Sequence, residues 1–164
     1  MRANELSALL WQERELLDLL IFKLTEEQLL LTAGRTRWLQ HATSEVERVV
    51  ERLRSAGLAR AIEVDSLAEE WNVKADLPTL NDIADAAPPG PWSDIFRAHL
   101  EAMTAQTAQI KELRDLNESF LRSAARSTQE TAATLLPRTG TYDAHGSTHH
   151  AGTAGAGNLF DTRL

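Results

Sequence analysis

The sequence predicts an all-α protein, an elongated antiparallel bundle of three long, coiled-coil-like helices with a short connecting helix and a disordered C-terminal tail. Leucine and alanine dominate the apolar residues, which make up 43% of the 164 residues, while aromatic residues make up only 5%. Leucine and alanine lose little side-chain freedom in a helix, whereas strands favour β-branched and aromatic residues. The apolar residues also recur at spacings of three and four, the period of one helix face.

The first long helix is predicted from about Asn4 to Thr32. Its apolar surface covers more than one face, because Trp11 and Phe22 lie outside the main leucine stripe. A helix packed on one neighbour needs only a narrow stripe, so we expect this one to contact two neighbours or a second copy of itself. Gly34 is placed to end the helix in the left-handed region.

The second long helix is predicted from about Arg35 to Asn72. Gly57 costs about 1 kcal/mol relative to alanine inside a helix. Because the apolar periodicity resumes directly after it, we expect one helix, with a kink at Gly57 left open.

Prolines then interrupt the helical pattern on both sides of a short predicted helix. Thr79 is predicted to cap this helix, with Asp82 at its third position and Ile83 facing inward. The third long helix is predicted from Pro91, which suits a first turn, to about Leu136. At 1.5 Å per residue its length of roughly 65–70 Å exceeds the roughly 43 Å of the first helix. Its end is therefore expected to project past the first helix.

Residues 1–136 are thus predicted to form a helical domain and residues 137–164 a flexible tail. The tail is rich in Gly, Ala, Thr, Ser and His, and too few apolar residues remain to offset the entropy of ordering it. It holds two basic and two acidic residues, so the net charge of −7 falls on the helical part.

Composition also restricts the function. The chain has no cysteine, which excludes disulfides and thiolate chemistry. It shows neither the pattern of a secretory signal nor a membrane-spanning stretch, so we expect a cytoplasmic protein. Basic residues are interleaved with acidic ones rather than gathered on one face, which argues against nucleic acid as a partner.

The sequence does not support a metal site of the kind found in helical bundles. A di-iron carboxylate site needs Glu-x-x-His pairs, but the residues three before His41 and His99 are Trp38 and Phe96. Histidines in a flexible tail give weak, adventitious metal binding; they are His145, His149 and His150.

Catalytic motifs are missing as well. The sequence GTAGAG at 152–157 lacks the strand and helix that make a phosphate loop work, and no Gly-x-Ser-x-Gly elbow occurs. His99 is expected to be a partly buried packing residue, and Asn117 resembles polar residues that set helix register. Most carboxylates are expected on solvated faces, although Glu13 and Glu27 interrupt the apolar stripe of the first helix. No cofactor and no enzymatic activity is predicted.

The remaining candidate is a surface. The last third of the third long helix presents an apolar and small-residue stripe suited to docking another helix. Its members are Phe120, Leu121, Ala124, Ala125, Thr128, Ala132, Leu135 and Leu136. Coverage of this stripe by the second helix or by a dimer mate is an equal alternative.

Four blocks carry a resemblance to a known family. They are Leu9–Leu39 (LLWQERELLDLLIFKLTEEQLLLTAGRTRWL), Leu113–Leu121 (LRDLNESFL), 128–130 (TQE) and 141–146 (TYDAHG). In this order they resemble the FlgN family of flagellar export chaperones, particularly its actinobacterial forms from high-GC Gram-positive bacteria.

The resemblance implies a cytoplasmic chaperone of flagellar type III export. Such proteins bind the hook–filament junction proteins FlgK and FlgL, prevent their premature assembly and deliver them to the export gate, with FlhA and the export ATPase complex as contacts. The family's cargo-binding region would fall on Phe120–Leu136, and its gate-contacting element on Tyr142, Asp143 and Gly146. The neutral extension from Ser147 onward departs from the family pattern.

The alternative is a structural or signalling coiled coil that acts by self-association, which the wide apolar surface of the first helix favours. The sequence leaves open whether the protein forms a homodimer.

Overall fold

The computed structural model describes residues 2–135, which contain four helices and no strand. The helices are α1 (Arg2–Thr32), α2 (Thr36–Glu70), α3 (Leu80–Ala86) and α4 (Trp92–Leu135). The all-α class and the three long helices with one short one are confirmed for these residues. The predicted boundary after residue 136 and the tail 137–164 lie outside the described residues. The chain divides into two compact units after Ala125, and the core lies in the first.

Helix α1 ends as its sequence predicts. Gly34 adopts a φ of 65°, the left-handed region that glycine enters without a steric penalty. The N–H of Arg35 donates to the carbonyl of Leu30 at 2.8 Å, and the N–H of Gly34 donates to that of Leu31 at 3.1 Å. This pair of bonds is a Schellman motif, which satisfies carbonyls left over at a helix end.

Helix α2 ends in the same way with an asparagine. Asn72 has a φ of 55°, and the N–H of Val73 donates to the carbonyl of Ala68 at 2.9 Å. Asparagine is one of the few residues with a side chain that enters this region. The helix is continuous through Gly57, as predicted.

Helix α3 begins with the predicted cap. The Thr79 hydroxyl accepts from the N–H of Asp82 at 3.3 Å, and the Asp82 carboxylate accepts from the N–H of Thr79 at 2.8 Å, which completes a capping box. Hydrogen bonds from the Thr79 hydroxyl and backbone hold the pKa of Asp82 below its ordinary value. Ile83 is fully buried, as predicted. Pro91 lies directly before α4, not in its first turn, and its carbonyl accepts the first helical bond from Ile95.

The first core cluster draws on all four helices. Its buried residues are Ala3, Leu6, Leu10, Val64, Leu67, Ala68, Leu80, Ile83, Ala84 and Phe96. The ring of Phe96 contacts those of Trp71 and Trp92, with centroids 6.2 and 5.6 Å away. Such aromatic pairs add stabilisation beyond the area that they bury.

The second core cluster joins only the three long helices, through Leu20, Leu24, Val49 and Ile110. Helix α1 therefore contacts both α2 and α4, which confirms that its wide apolar surface has two neighbours. In the described helices no stretch is long and apolar enough to cross a membrane.

Polar contacts show the direction of the helices in the unit Met1–Ala125. Glu13 contacts Arg60 and Glu27 contacts Thr43, so α1 and α2 are antiparallel. Gln106 contacts Asp18, and Asn117 contacts Glu27 further along, so α4 runs parallel to α1.

Candidate functional site

The end of α4 is an exposed helical surface. Every side chain from Leu121 to Thr134 is exposed, and 39% of the Leu121 surface is accessible. Of the predicted docking stripe, Phe120 is half-buried. Its exposed members are Leu121, Ala124, Ala125, Thr128 and Ala132. Leu135 ends α4, and Leu136 lies outside the described residues.

The stripe lies on one side of its helix. Positions 121, 125, 128 and 132 are three or four apart, so their side chains share a face. Arg122 and Glu118 form an ion pair beside it. Small side chains on this face allow close approach of a second helix, while Phe120 and Leu121 offer the larger apolar area.

A groove precedes the stripe on the same helix. We call it the α2–α4 groove; it has a volume of about 800 Å³ and lies between α2 and α4, with α1 as its floor. Leu20 and Leu24 line it from α1. Both are buried, and α1 also brings the carboxylates of Glu13 and Glu27 to the groove, so its floor is partly apolar and partly acidic. Sequence reasoning did not predict this groove.

The two walls of the α2–α4 groove follow single helix faces. The α2 wall includes Val46, Val50, Leu53, Gly57 and Arg60, and the α4 wall Ile110, Arg114, Asn117 and Leu121. Each series repeats at alternating spacings of four and three, which is one face of a helix. Two helix ridges on either side of a floor supplied by α1 leave a space of the shape that another helix can fill.

A buried polar cluster lines one part of the groove, through Glu27 and Asn117. The Thr43 hydroxyl donates to one carboxylate oxygen of Glu27 at 2.7 Å. The Asn117 amide donates to the other at 3.1 Å and to the carbonyl of Leu24 at 2.9 Å. Glu27 is 6% exposed and Asn117 2%. The predicted register role of Asn117 therefore has a physical basis, because its amide group ties α4 to α1.

A second buried carboxylate lies further along α1. Glu13 is 7% exposed, and Arg60 of α2 donates to it at 2.7 Å. Most carboxylates were expected on solvated faces, and Glu13 and Glu27 are two exceptions to that pattern. Both residues interrupt the apolar stripe of α1, and this position in the sequence is the signal that could have indicated their burial.

His99 is a packed residue, as predicted. It is 2% exposed, and the ring of Trp11 meets it edge to face at 5.1 Å. Burial, with a smaller contribution from the Arg14 cation, holds its pKa below the ordinary value.

The environment of His99 does not make a nucleophile dyad. Its Nε2 lies 3.4 Å from the Ser7 hydroxyl, while its Nδ1 lies 3.5 Å from the Arg14 guanidinium. An acid that orients the imidazole is needed at this second position, and a cation there opposes the charged form. The arrangement packs the helices and does not activate Ser7.

The remaining candidate sites from the sequence are the possible metal sites and the residues of the tail. Within residues 2–135 no cluster of three or more His, Cys, Asp or Glu side chains could hold a metal. The tail histidines and the segment 152–157 lie outside the described residues, as do Tyr142, Asp143 and Gly146.

Comparison with models of known protein families gives a match to this chain. A family model described as FlgN protein matches residues 1–150, nearly the whole chain. No curated protein and no solved structure matches the chain.

Proposed function

Because the chain belongs to the FlgN family of flagellar export chaperones, we propose that it binds the hook–filament junction proteins FlgK and FlgL. It acts in the cytoplasm, keeps these proteins from premature assembly and delivers them to the export gate. The finer architecture proposed with this function is an elongated antiparallel bundle of three long helices. The protein works by binding, without catalysis.

The exposed end of α4 supports this proposal most strongly. Its face from Phe120 to Ala132 combines two large apolar residues, Phe120 and Leu121, with small ones that are exposed to solvent. A disordered terminal segment of the cargo can fold as a helix against such a face. Part of the contact free energy is then offset by the entropy of ordering that segment. The resulting affinity is moderate, as a chaperone that must release its cargo requires.

Truncating the large residues of this face tests the proposal. The double change Phe120→Ala with Leu121→Ala should abolish capture of FlgK and FlgL in a pull-down, because it removes most of the apolar contact area. Circular dichroism should stay helical. A matched control is Leu58→Ala with Ile62→Ala, which removes two exposed residues of α2, 69% and 67% accessible. Undiminished capture by the first variant would refute cargo binding at this face.

The tail supplies the second proposed contact. Tyr142, Asp143 and Gly146 contact the export gate, through FlhA or the export ATPase complex, once cargo is bound. We expect Tyr142→Ala to spare cargo capture and to reduce secretion of the junction proteins. Normal secretion by this variant would exclude the role.

Self-association is the second candidate, and one observation favours it. Leu58 and Ile62 lie one turn apart on α2 and are both largely exposed. A scaffold or homodimer that uses this pair would show a higher mass in light scattering, which Leu58→Ala with Ile62→Ala would reduce. Such a scaffold would also fail to capture FlgK and FlgL.

A further inference from the structure

Two aromatic side chains of α1 stay exposed although the helix packs against two neighbours. Trp11 is 55% exposed and Phe22 54%. They form a row with Ala8, Glu15 and Asp18, whose positions are three or four residues apart and therefore share one face of the helix. All five are exposed, and we call this row the outer stripe of α1. It is roughly 21 Å long at the helical rise.

Both aromatic rings are held by a cation of the same helix. The Arg14 guanidinium lies over the Trp11 ring, 4.4 Å from its centroid, and the Lys23 ammonium lies 5.1 Å from that of Phe22. A side chain that is already held loses little conformational entropy when a partner binds it. Exposed Trp and Phe side chains of this kind are enriched in the centres of protein interfaces.

A hollow at the Trp11 end of the stripe is acidic. It is shallow, has a volume of about 690 Å³, and among the described residues its lining holds two carboxylates and no cation. The lining residues are Glu5, Ala8, Leu9, Trp11, Gln12 and Glu15. Glu5 and Glu15 are exposed, and neither forms an ion pair or hydrogen bond through its side chain within residues 2–135.

The Phe22 end of the stripe adds carboxylates as well. Asp18 accepts a hydrogen bond from the neutral amide of Gln106 at 3.1 Å and has no ion pair among the described residues. Lys23 lies 2.7 Å from the carboxylate of Glu26 and 2.7 Å from that of Glu45 on α2. Its single charge is therefore shared by two carboxylates and does not offset that of Asp18.

Arg14 is the remaining cation beside the stripe. Its guanidinium faces the Trp11 ring and lies 3.5 Å from Nδ1 of the buried His99, so it is directed toward the contact between α1 and α4. Three carboxylates without an ion pair are thus set against this one cation. The outer stripe of α1 is therefore a surface with two aromatic residues and a net negative charge.

We propose that the outer stripe of α1 binds a basic amphipathic helix of a partner protein. The apolar face of that helix covers Trp11 and Phe22, and its lysine or arginine side chains reach Glu5, Glu15 and Asp18. A helix of about 14 residues matches the length of the stripe. The inference goes beyond the proposed function and does not rest on it, because none of these residues belongs to the surfaces proposed for cargo or the export gate.

The same negative charge opposes three other partners. Nucleic acid and an anionic lipid surface are both negative, so the carboxylates of the stripe repel them. A second copy of the chain has a net charge of −7, which opposes association at an acidic face. A basic partner helix is the occupant that both the aromatic and the acidic residues favour.

Binding of two synthetic peptides to the full chain tests the proposal. Both are amphipathic helices of about 15 residues with leucines on one face, and lysines flank that face in one peptide and glutamates in the other. Fluorescence anisotropy should show that the lysine peptide binds, more weakly as salt is added, and that the glutamate peptide does not. Equal binding of the two peptides, or no binding of the lysine peptide, would overturn the proposal.

Charge reversal shows whether the peptide binds at this stripe or is attracted by the charge of the whole chain. Glu5→Lys with Glu15→Lys should weaken binding of the lysine peptide by about tenfold or more. Asp65→Lys with Glu69→Lys is the matched control, because both residues are exposed on α2 and the net charge changes by the same amount. Equal weakening by the two double variants would mean attraction to the net charge alone and would overturn the proposal.

An aromatic truncation tests the apolar part of the contact. Phe22→Ala should weaken binding of the lysine peptide by about tenfold, whereas Leu58→Ala, which removes a residue 69% exposed on α2, should not. Circular dichroism of each variant should stay helical. Unchanged binding by Phe22→Ala would overturn the proposal.

Two further measurements identify a different partner. Wild-type binding to phosphatidylglycerol vesicles that Phe22→Ala reduces would make a membrane the partner of the stripe. A dimer mass in light scattering that Phe22→Ala reduces would make it a second copy. Either result overturns the proposal. Since FlgK and FlgL take no part in these experiments, a failure of the proposed chaperone function would leave their outcome unchanged.

Discussion

Two buried carboxylates of α1, Glu13 and Glu27, bind residues of the neighbouring long helices. Asn117 and Thr43 both donate to Glu27, so one carboxylate of α1 holds a residue of α2 and a residue of α4. A buried hydrogen bond stabilises a fold modestly, but a buried polar group left without its partner destabilises it more strongly. The cluster therefore penalises any shift of one helix along another, because each slip would leave a buried carboxylate short of donors.

Asn117→Ala measures this effect. The change withdraws a donor from the buried Glu27 and from the carbonyl of Leu24, so the free energy of unfolding should fall by about 1–3 kcal/mol. Urea denaturation gives the value. Asn81→Ala is the control, since the Asn81 side chain is exposed and its change should cost much less. Equal effects of the two changes would show that the buried cluster contributes nothing particular.

His99 predicts how stability depends on pH. Burial and Arg14 hold its pKa in the folded protein below the 6.5 of an unfolded chain. Between these two values the unfolded chain binds more protons, so stability decreases as the pH falls from about 6.5 toward the lowered pKa. Above pH 6.5 the neutral ring makes its full contribution.

Unfolding followed at several pH values tests this dependence. His99→Gln should flatten the loss of stability below pH 6.5, whereas His41→Gln should leave it unchanged, because His41 is exposed. A wild-type stability that does not decrease on mild acidification would contradict the assignment.

At the scale of the helices, local chemistry determines the ends. Gly34 and Thr79 were identified from the sequence because a left-handed glycine and a capping hydroxyl act on residues close to them in the chain. Helical periodicity likewise predicted α2 to continue through Gly57. The partner of Glu13 could not be predicted in this way, since Arg60 is 47 residues away in the sequence. Only the packing of two helices brings them together.

The conformations of two glycines lead to opposite predictions. Gly57 is helical and its added Cβ would meet nothing, so Gly57→Ala should raise the free energy of unfolding by about 0.5–1 kcal/mol. Gly34 has a positive φ, so Gly34→Ala should lower it by about 1 kcal/mol. Urea denaturation compares them. A destabilising Gly57→Ala would show that α2 is not an ordinary helix at this residue.

At the scale of the whole chain, one candidate surface, the stripe at the end of α4, could be predicted from the sequence, and the other, the α2–α4 groove, could not. The stripe at the end of α4 could be predicted because helix length and apolar pattern are both visible in the sequence. Its exposure is observed for Leu121, Ala125 and Ala132, and its role in binding is a proposal. The α2–α4 groove could not be predicted, because it is a gap between helices and depends on how far apart they pack.

Hydrogen exchange of the protein with and without FlgK tests the central claim most directly. Exposed helical amides at the end of α4 should exchange readily in the protein alone, since few contacts protect them. We expect cargo to slow exchange in the segment Phe120–Leu135. Exchange that stays the same throughout Phe120–Leu135 when FlgK is bound would contradict it.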